Sequence, residues 1–269
     1  MKTIRLFFIF AVLVCALWQP GSAQSGPPFR FRDNFETEQG WGMFEEIVGG
    51  SPCYGEGIGE VARSSDAAAE GAHSLRVWAN SALSSKSNHV IAQKKVAESG
   101  LTGRFRYQLY AYRAPETAAT GETGPEFSMQ NTREISPGQF RTATAGIQLR
   151  TNPFSPLNNT WAIWAEVAPG QADWQTFLTT DALRPGEWYY MAVEADYTTN
   201  RYVRFWLRGP GIHLSRDISA YKIAQEEKFT EQAFWLTLES ENLYNNCGTA
   251  GNSHYKVYYD DVLLRQLGS

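Results

Sequence analysis

Glu239-Ser240-Glu241 sets two carboxylates two residues apart in a stretch that alternates apolar and polar side chains. On a β-strand such a pair shares one face, with Cα atoms about 6.6–7 Å apart. Glycoside hydrolysis needs two carboxyls about 5–5.5 Å apart for retention or about 6.5–9.5 Å apart for inversion. Glu126 and Glu166 lie in other alternating stretches and can face this pair across a sheet. Elimination chemistry needs a Tyr or His base beside an Arg or Gln neutraliser, and Tyr110, His89 and Arg150 offer those groups. His73, His89, His213 and His254 show no ligand spacing along the chain, so the sequence predicts no zinc site. Neither a Gly-x-Ser-x-Gly elbow nor a phosphate loop is present.

The segments that must position these groups alternate with period two. Residues 104–112, 126–131, 143–150, 160–167, 188–196, 202–208, 234–239 and 255–264 all read as strands. Turn chemistry separates them at Pro137-Gly138, Arg184-Pro185-Gly186, Thr198-Thr199-Asn200 and Gly209-Pro210-Gly211. Helical patterning is confined to a short stretch near Ala220 to Phe229. No internal repeat or linker appears, and so many antiparallel strands predict an all-β, two-sheet antiparallel jelly-roll sandwich.

Alternate positions on those strands form a polar-aromatic set. It contains Arg106, Gln108 and Tyr110, then Glu126 and Gln130, then Gln148 and Arg150, then Trp164, Trp206, Trp235 and Glu239. The complementary set is apolar, including Phe105, Leu109, Phe127, Met129, Ile147, Leu149, Ile163, Val167, Phe205, Leu236 and Leu238. One dry and one wet face is the pattern of an antiparallel sheet with a solvated side. A plain solvated face favours Lys, Thr and Ser. This one carries Trp, Tyr, Gln and Arg, which stack on sugar rings and hydrogen-bond their hydroxyls. The expectation is a single glycan-binding concave face.

Residues 1–23 read as a signal peptide, with Lys2 and Arg5 ahead of the apolar run Leu6 to Leu17 and small residues Gly21-Ser22-Ala23 for cleavage. The expected layout is a signal peptide over 1–23, a leader over 24–30 and one domain over 31–269. The chain has 269 residues and a net charge of −4. Loss of Lys2 and Arg5 on export takes that charge to about −6, which disfavours nucleic acid as a partner. No later segment is apolar enough to span a membrane. Cys53 and Cys247 remain after export, an even count that predicts one disulfide in an oxidising compartment.

Three stretches carry a resemblance. Asn34-Phe35-Glu36 followed by Gly40-Trp41, Glu70-Gly71-Ala72-His73-Ser74-Leu75-Arg76-Val77, and the terminal Tyr259-Asp260-Asp261-Val262 resemble jelly-roll carbohydrate-binding modules. Gly186-Glu187-Trp188-Tyr189-Tyr190 through Tyr202 to Leu207 is similar to concanavalin A-like lectin/glucanase domains. The chain lacks both the Glu-x-Asp-x-Glu strand of laminarinase-type glucanases and the Gln-x-His strand of one alginate lyase type. The resemblance implies adjacent first and last strands. It also implies a structural Ca²⁺ held by Asp260 and Glu36 with nearby carbonyls.

The leading expectation is a secreted, monomeric polysaccharide-binding protein, extracellular or periplasmic. One alternative is a polysaccharide lyase or glycoside hydrolase, with Glu126, Glu239 and Glu241 as the catalytic set. The other is a cell-surface structural or adhesion protein.

Overall fold

A computed structural model describes residues 28–38, 40–45, 58–80, 88–115, 122–151, 157–242 and 254–268. The first strands are β1 Arg30–Asp33, β2 Gly42–Glu45, β3 Ile58–Ser64, β4 Ser74–Asn80 and β5 Asn88–Ala97. Next come β6 Arg104–Arg113, β7 Glu122–Ser136, β8 Gln139–Thr151, β9 Thr160–Ala168, β10 Gln171–Thr179 and β11 Trp188–Asp196. The chain closes with β12 Arg201–Gly209, β13 Ile212–Asp217, β14 Ala224–Glu226, β15 Ala233–Asn242 and β16 His254–Leu267. The first sheet runs β13-β12-β11-β6-β16-β4-β3, with β1 also on β16. The second runs β10-β9-β8-β7-β15-β5-β2, with β14 on β8. Every described pairing is antiparallel, and no described residue is helical.

The two ends of the described chain meet, as expected: Phe31 lies opposite Leu264 and Asp33 opposite Val262. The eight strands expected from the alternation are all present. The helical stretch near Ala220 to Phe229 is not; Ala224–Glu226 pairs instead with Thr142 to Thr144 of β8. Its local preference yields to a sheet edge that offers unpaired backbone groups.

The core lies between the inner faces, where Phe105, Leu109, Phe127, Met129, Ile147, Phe205, Leu236 and Leu238 are fully buried. Each such side chain contributes about 1.5–3 kcal/mol of hydrophobic stabilisation. Val167, expected among them, is exposed because it stands near the end of β9. Tyrosines of the first sheet and the segments beside it cross this core to the backbone of the second sheet. Tyr197 Oη donates to the Met129 carbonyl at 2.9 Å, Tyr107 Oη to that of Thr237 at 3.2 Å, and Tyr202 Oη to that of Trp164 at 2.7 Å. They satisfy buried polar groups and fix how the sheets sit on each other.

Candidate functional site

Because Phe127, Met129, Ile147, Leu149, Leu236 and Leu238 point into the core, their strand neighbours line the outer face of the second sheet. The register sets Glu239 of β15 opposite Glu126 of β7, Glu126 opposite Gln148 of β8, and Glu241 opposite His89 of β5. A bulge between Thr123 and Glu126 adjusts this register at Gly124-Pro125. Gly124 adopts φ +136°, and proline has no N–H to lose from the ladder.

His89, Glu126 and Glu239 bring one ligand-type atom each within 4.8 Å of one another, and all three are buried. They form the one His/Cys/Asp/Glu group with metal-ligand geometry among the described residues. His89 Nε2 lies 2.8 Å from Glu239 Oε2. Thr237 Oγ1 donates to the other oxygen of Glu239, Ser128 Oγ donates to Thr237 Oγ1 at 2.7 Å, and Gln130 Nε2 donates to Ser128 Oγ at 3.3 Å. This chain of donors ends on Glu239. On the other side Gln148 Nε2 donates to Glu126 Oε2 at 2.8 Å, and Arg150 Nε donates to Gln148 Oε1 at 3.0 Å.

Environment divides the two carboxyls. Burial, followed by the charge of Glu239, holds Glu126 well above the usual carboxyl range, so it keeps its proton. Burial acts on Glu239 in the same sense. The hydrogen bond and charge of His89, with the Thr237 hydroxyl, overcome it and bring Glu239 below the usual range. One acid and one base thus stand side by side. Since ionised Glu239 only accepts hydrogen bonds, Nε2 of His89 carries the proton.

Aromatic rings flank this polar centre. Trp164 and Trp174 pack edge to face at 5.4 Å, and Trp235 stacks on Phe229 at 5.9 Å beneath the Lys95 ammonium. Between the Trp pair and Ser128 lies Gly146, where a Cβ would come within 3.4 Å of the Trp174 ring. Bare backbone there leaves the face low beside the rings. Past Trp235, a cleft of about 380 Å³ is lined by Gly40, Gly42, Met43, Gln93, Lys94 and Lys95.

No protein-family model matches the chain, and no curated protein matches it in sequence. Solved structures do match. An endo-β-1,4-glucuronan lyase from the fungus Trichoderma reesei aligns over 88% of this chain and 95% of its own at 13% identity, with a TM-score of 0.54. Peanut lectin aligns over 91% and 100% at 10% identity, TM-score 0.47, and an alginate lyase over 90% and 99% at 13%, TM-score 0.45. The chain has the concanavalin A-like jelly-roll fold.

Within this jelly roll, the residues expected on a single face divide between two. Glu126, Gln130, Gln148, Arg150, Trp164, Trp235, Glu239 and Glu241 lie on the outer face of the second sheet. Arg106, Gln108, Tyr110 and Trp206 lie on the outer face of the first, across the whole core. Alternation assigns a side of each strand but not the sheet to which the strand belongs. Tyr110 is therefore no partner for Arg150. Glu166 turns to Lys222, 3.5 Å away. Gln93 and Lys95, on β5, and Trp174, on β10, join the face unforeseen; their strands also alternate, a signal that was available.

Glu36 and Asp260 converge on one loop. Asp260 Oδ2 accepts the N–H groups of Ala69 and Glu70 at 2.8 and 3.0 Å, and Glu36 Oε1 those of Ala72 and His73 at the same distances. Arg63 donates to the carbonyls of Phe35 and Glu36, both at 2.6 Å. Hydrogen bonds thus occupy these two acids and the carbonyls beside Glu36. Cys53, Cys247 and residues 1–27 lie outside the described residues. Among those described, no helix is long and apolar enough to cross a membrane.

Proposed function

We propose that the protein is a secreted enzyme that cleaves polysaccharide on the outer face of its second sheet, by β-elimination at a uronic acid residue. The observation that carries this reading is the adjacent pair of a protonated Glu126 and an ionised Glu239, the latter joined to His89. Pairs whose environments drive their protonation apart mark acid–base sites.

To act as the base, the charged His89 ring first gives up its Nδ1 proton and keeps the one on Nε2 toward Glu239; Nδ1 then removes the proton α to the sugar carboxylate. Negative charge then builds on that carboxylate. Protonated Glu126, the Gln148 amide and the Arg150 guanidinium are the donors that meet it. The glycosidic C–O bond breaks as the carbon–carbon double bond forms, and the departing oxygen takes a proton from water or from the site. Trp164, Trp174 and Trp235 hold neighbouring sugar rings. The Trichoderma protein is itself a lyase, and its likeness to this chain is one of fold. Export and a Cys53–Cys247 bridge belong to the same reading.

One observation favours a second reading. Reactive atoms of Glu126 and Glu239 within 4.8 Å are closer to the retaining than to the inverting spacing of glycoside hydrolases. Incubation with polyglucuronate, alginate and neutral β-glucans distinguishes the two. Unsaturated ends absorbing in the ultraviolet establish elimination, and reducing ends without that absorbance establish hydrolysis. Retention on the glycans with neither product would leave a binding protein and overturn the enzymatic reading.

A further inference from the structure

We propose that the outer face of the first sheet is a second glycan site, which holds an acidic polysaccharide chain away from the Glu126–Glu239 centre. Its residues come from four adjacent strands. Register sets Arg208 of β12 opposite Tyr190 of β11, Tyr190 opposite Tyr110 of β6, and Arg106 of β6 opposite Arg265 of β16. Tyr110 and Tyr190 pack edge to face at 5.7 Å, and the Arg106 guanidinium stacks on part-exposed Trp206 at 4.3 Å. Two aromatic platforms therefore stand beside fixed cations.

The cations on this face are not balanced. Glu194 is fully buried and forms ion pairs with both Arg104 and Arg106. Arg265 stands directly across from Arg106, a like-charge pairing that costs a sheet stability. Its Nε is buried with no hydrogen-bond partner, and exposed Arg208 forms no ion pair among the described residues. Glu194 already pairs Arg106, so Arg208 and Arg265 are left as two cations with no ion pair among the described residues, on the same face as the Tyr110, Tyr190 and Trp206 rings; an anion is the ligand such a face attracts.

Carboxylate or sulfate groups on the sugars suit this arrangement. Guanidinium binds such groups through paired hydrogen bonds, and the aromatic rings cover the apolar faces of the sugars between them. Neither the rings nor the arginines take part in the proposed cleavage, since the core separates the two faces.

Affinity electrophoresis in gels containing polygalacturonate, alginate or chondroitin sulfate tests this, with neutral hydroxyethyl cellulose as control. The native chain should be retarded by at least one acidic polymer, and less so as salt shortens the reach of the charges. The double variant Arg208→Glu, Arg265→Gln should weaken that retardation by about tenfold or more. Trp206→Ala should weaken it similarly, and should do so again in a Trp235→Ala chain, whose own loss comes from the other face. No retardation by any of the three acidic polymers overturns the proposal. So does a double variant that keeps its native melting point and its retardation, or a loss confined to Trp235→Ala. Failure of cleavage on the other face would leave this result untouched, and the reverse holds as well.

Discussion

The hydroxyl of Tyr259, on the first sheet, reaches through the core to the backbone of Glu126 on the second. It accepts the Glu126 N–H at 3.1 Å and turns its own proton toward the Glu126 carbonyl, also at 3.1 Å, and that of Glu239. One side chain thus ties together the two strands that carry the acid and the base. Tyr259→Phe keeps the ring's packing and leaves those buried groups unpaired, a cost of about 1–3 kcal/mol. Chemical denaturation should show that loss, with cleavage reduced in the variant that remains folded. An unchanged midpoint would mean that the hydroxyl holds nothing in place.

Stability should depend on pH in opposite senses at the two carboxyls. Glu126 is raised, so folding favours its protonated form, and the contribution is lost as pH rises through its folded pKa, above the usual carboxyl range. Glu239 is lowered, so its contribution is present above that range and is lost as pH falls through its own folded value. Glu126→Gln should flatten the alkaline side of the melting profile and leave the acid side unchanged. An alkaline decline of native size in that variant would show that Glu126 is ionised in the fold.

His89→Asn removes the proposed base, and Glu239→Gln removes the charge that sets its tautomer. Each should lower the turnover number by about a hundredfold or more while glycan retention persists. Turnover within a few-fold of native in His89→Asn would place the base elsewhere.

Two tryptophans three residues apart on β9 should behave in opposite ways. Trp161 is fully buried and packs on Phe205 at 5.1 Å, so Trp161→Ala should cost about 3–5 kcal/mol. Trp164 is part-exposed on the outer face, with Nε1 donating to Glu226 at 3.0 Å. Trp164→Ala should weaken glycan retention and melt much nearer to the native temperature. Thermal melts and affinity gels on the two variants check the register directly.

At Gly146, Ser128 Cβ and Trp164 Cβ lie 3.5 Å from where a Cβ would stand, an ordinary contact. Gly146→Ala should therefore fold and still bind, whereas Gly146→Leu should fill the low ground beside Trp174 and block the glycan. Native binding by a folded Gly146→Leu chain would move the sugar path off this part of the face.

Alternation by itself determined the sandwich. Eight long strands and the dry set Phe105, Phe127, Ile147, Phe205 and Leu238 follow from side chains that must alternate between core and water, whereas the meeting of the ends around Phe31 and Leu264 was implied by the resemblance of the end motifs. Glu126, Glu239, Gln148 and Arg150 could also be chosen as polar partners on one kind of face. Only the tertiary structure decided which strands share a sheet. Strand order arises from long-range pairing, so it removed Arg106, Gln108, Tyr110 and Trp206 to the opposite surface and brought His89 from β5 to within 2.8 Å of Glu239, 150 residues along the chain. The protonation of Glu126 and Glu239 was decided there too, because identical side chains differ in acidity only through the burial, charges and donors packed around them.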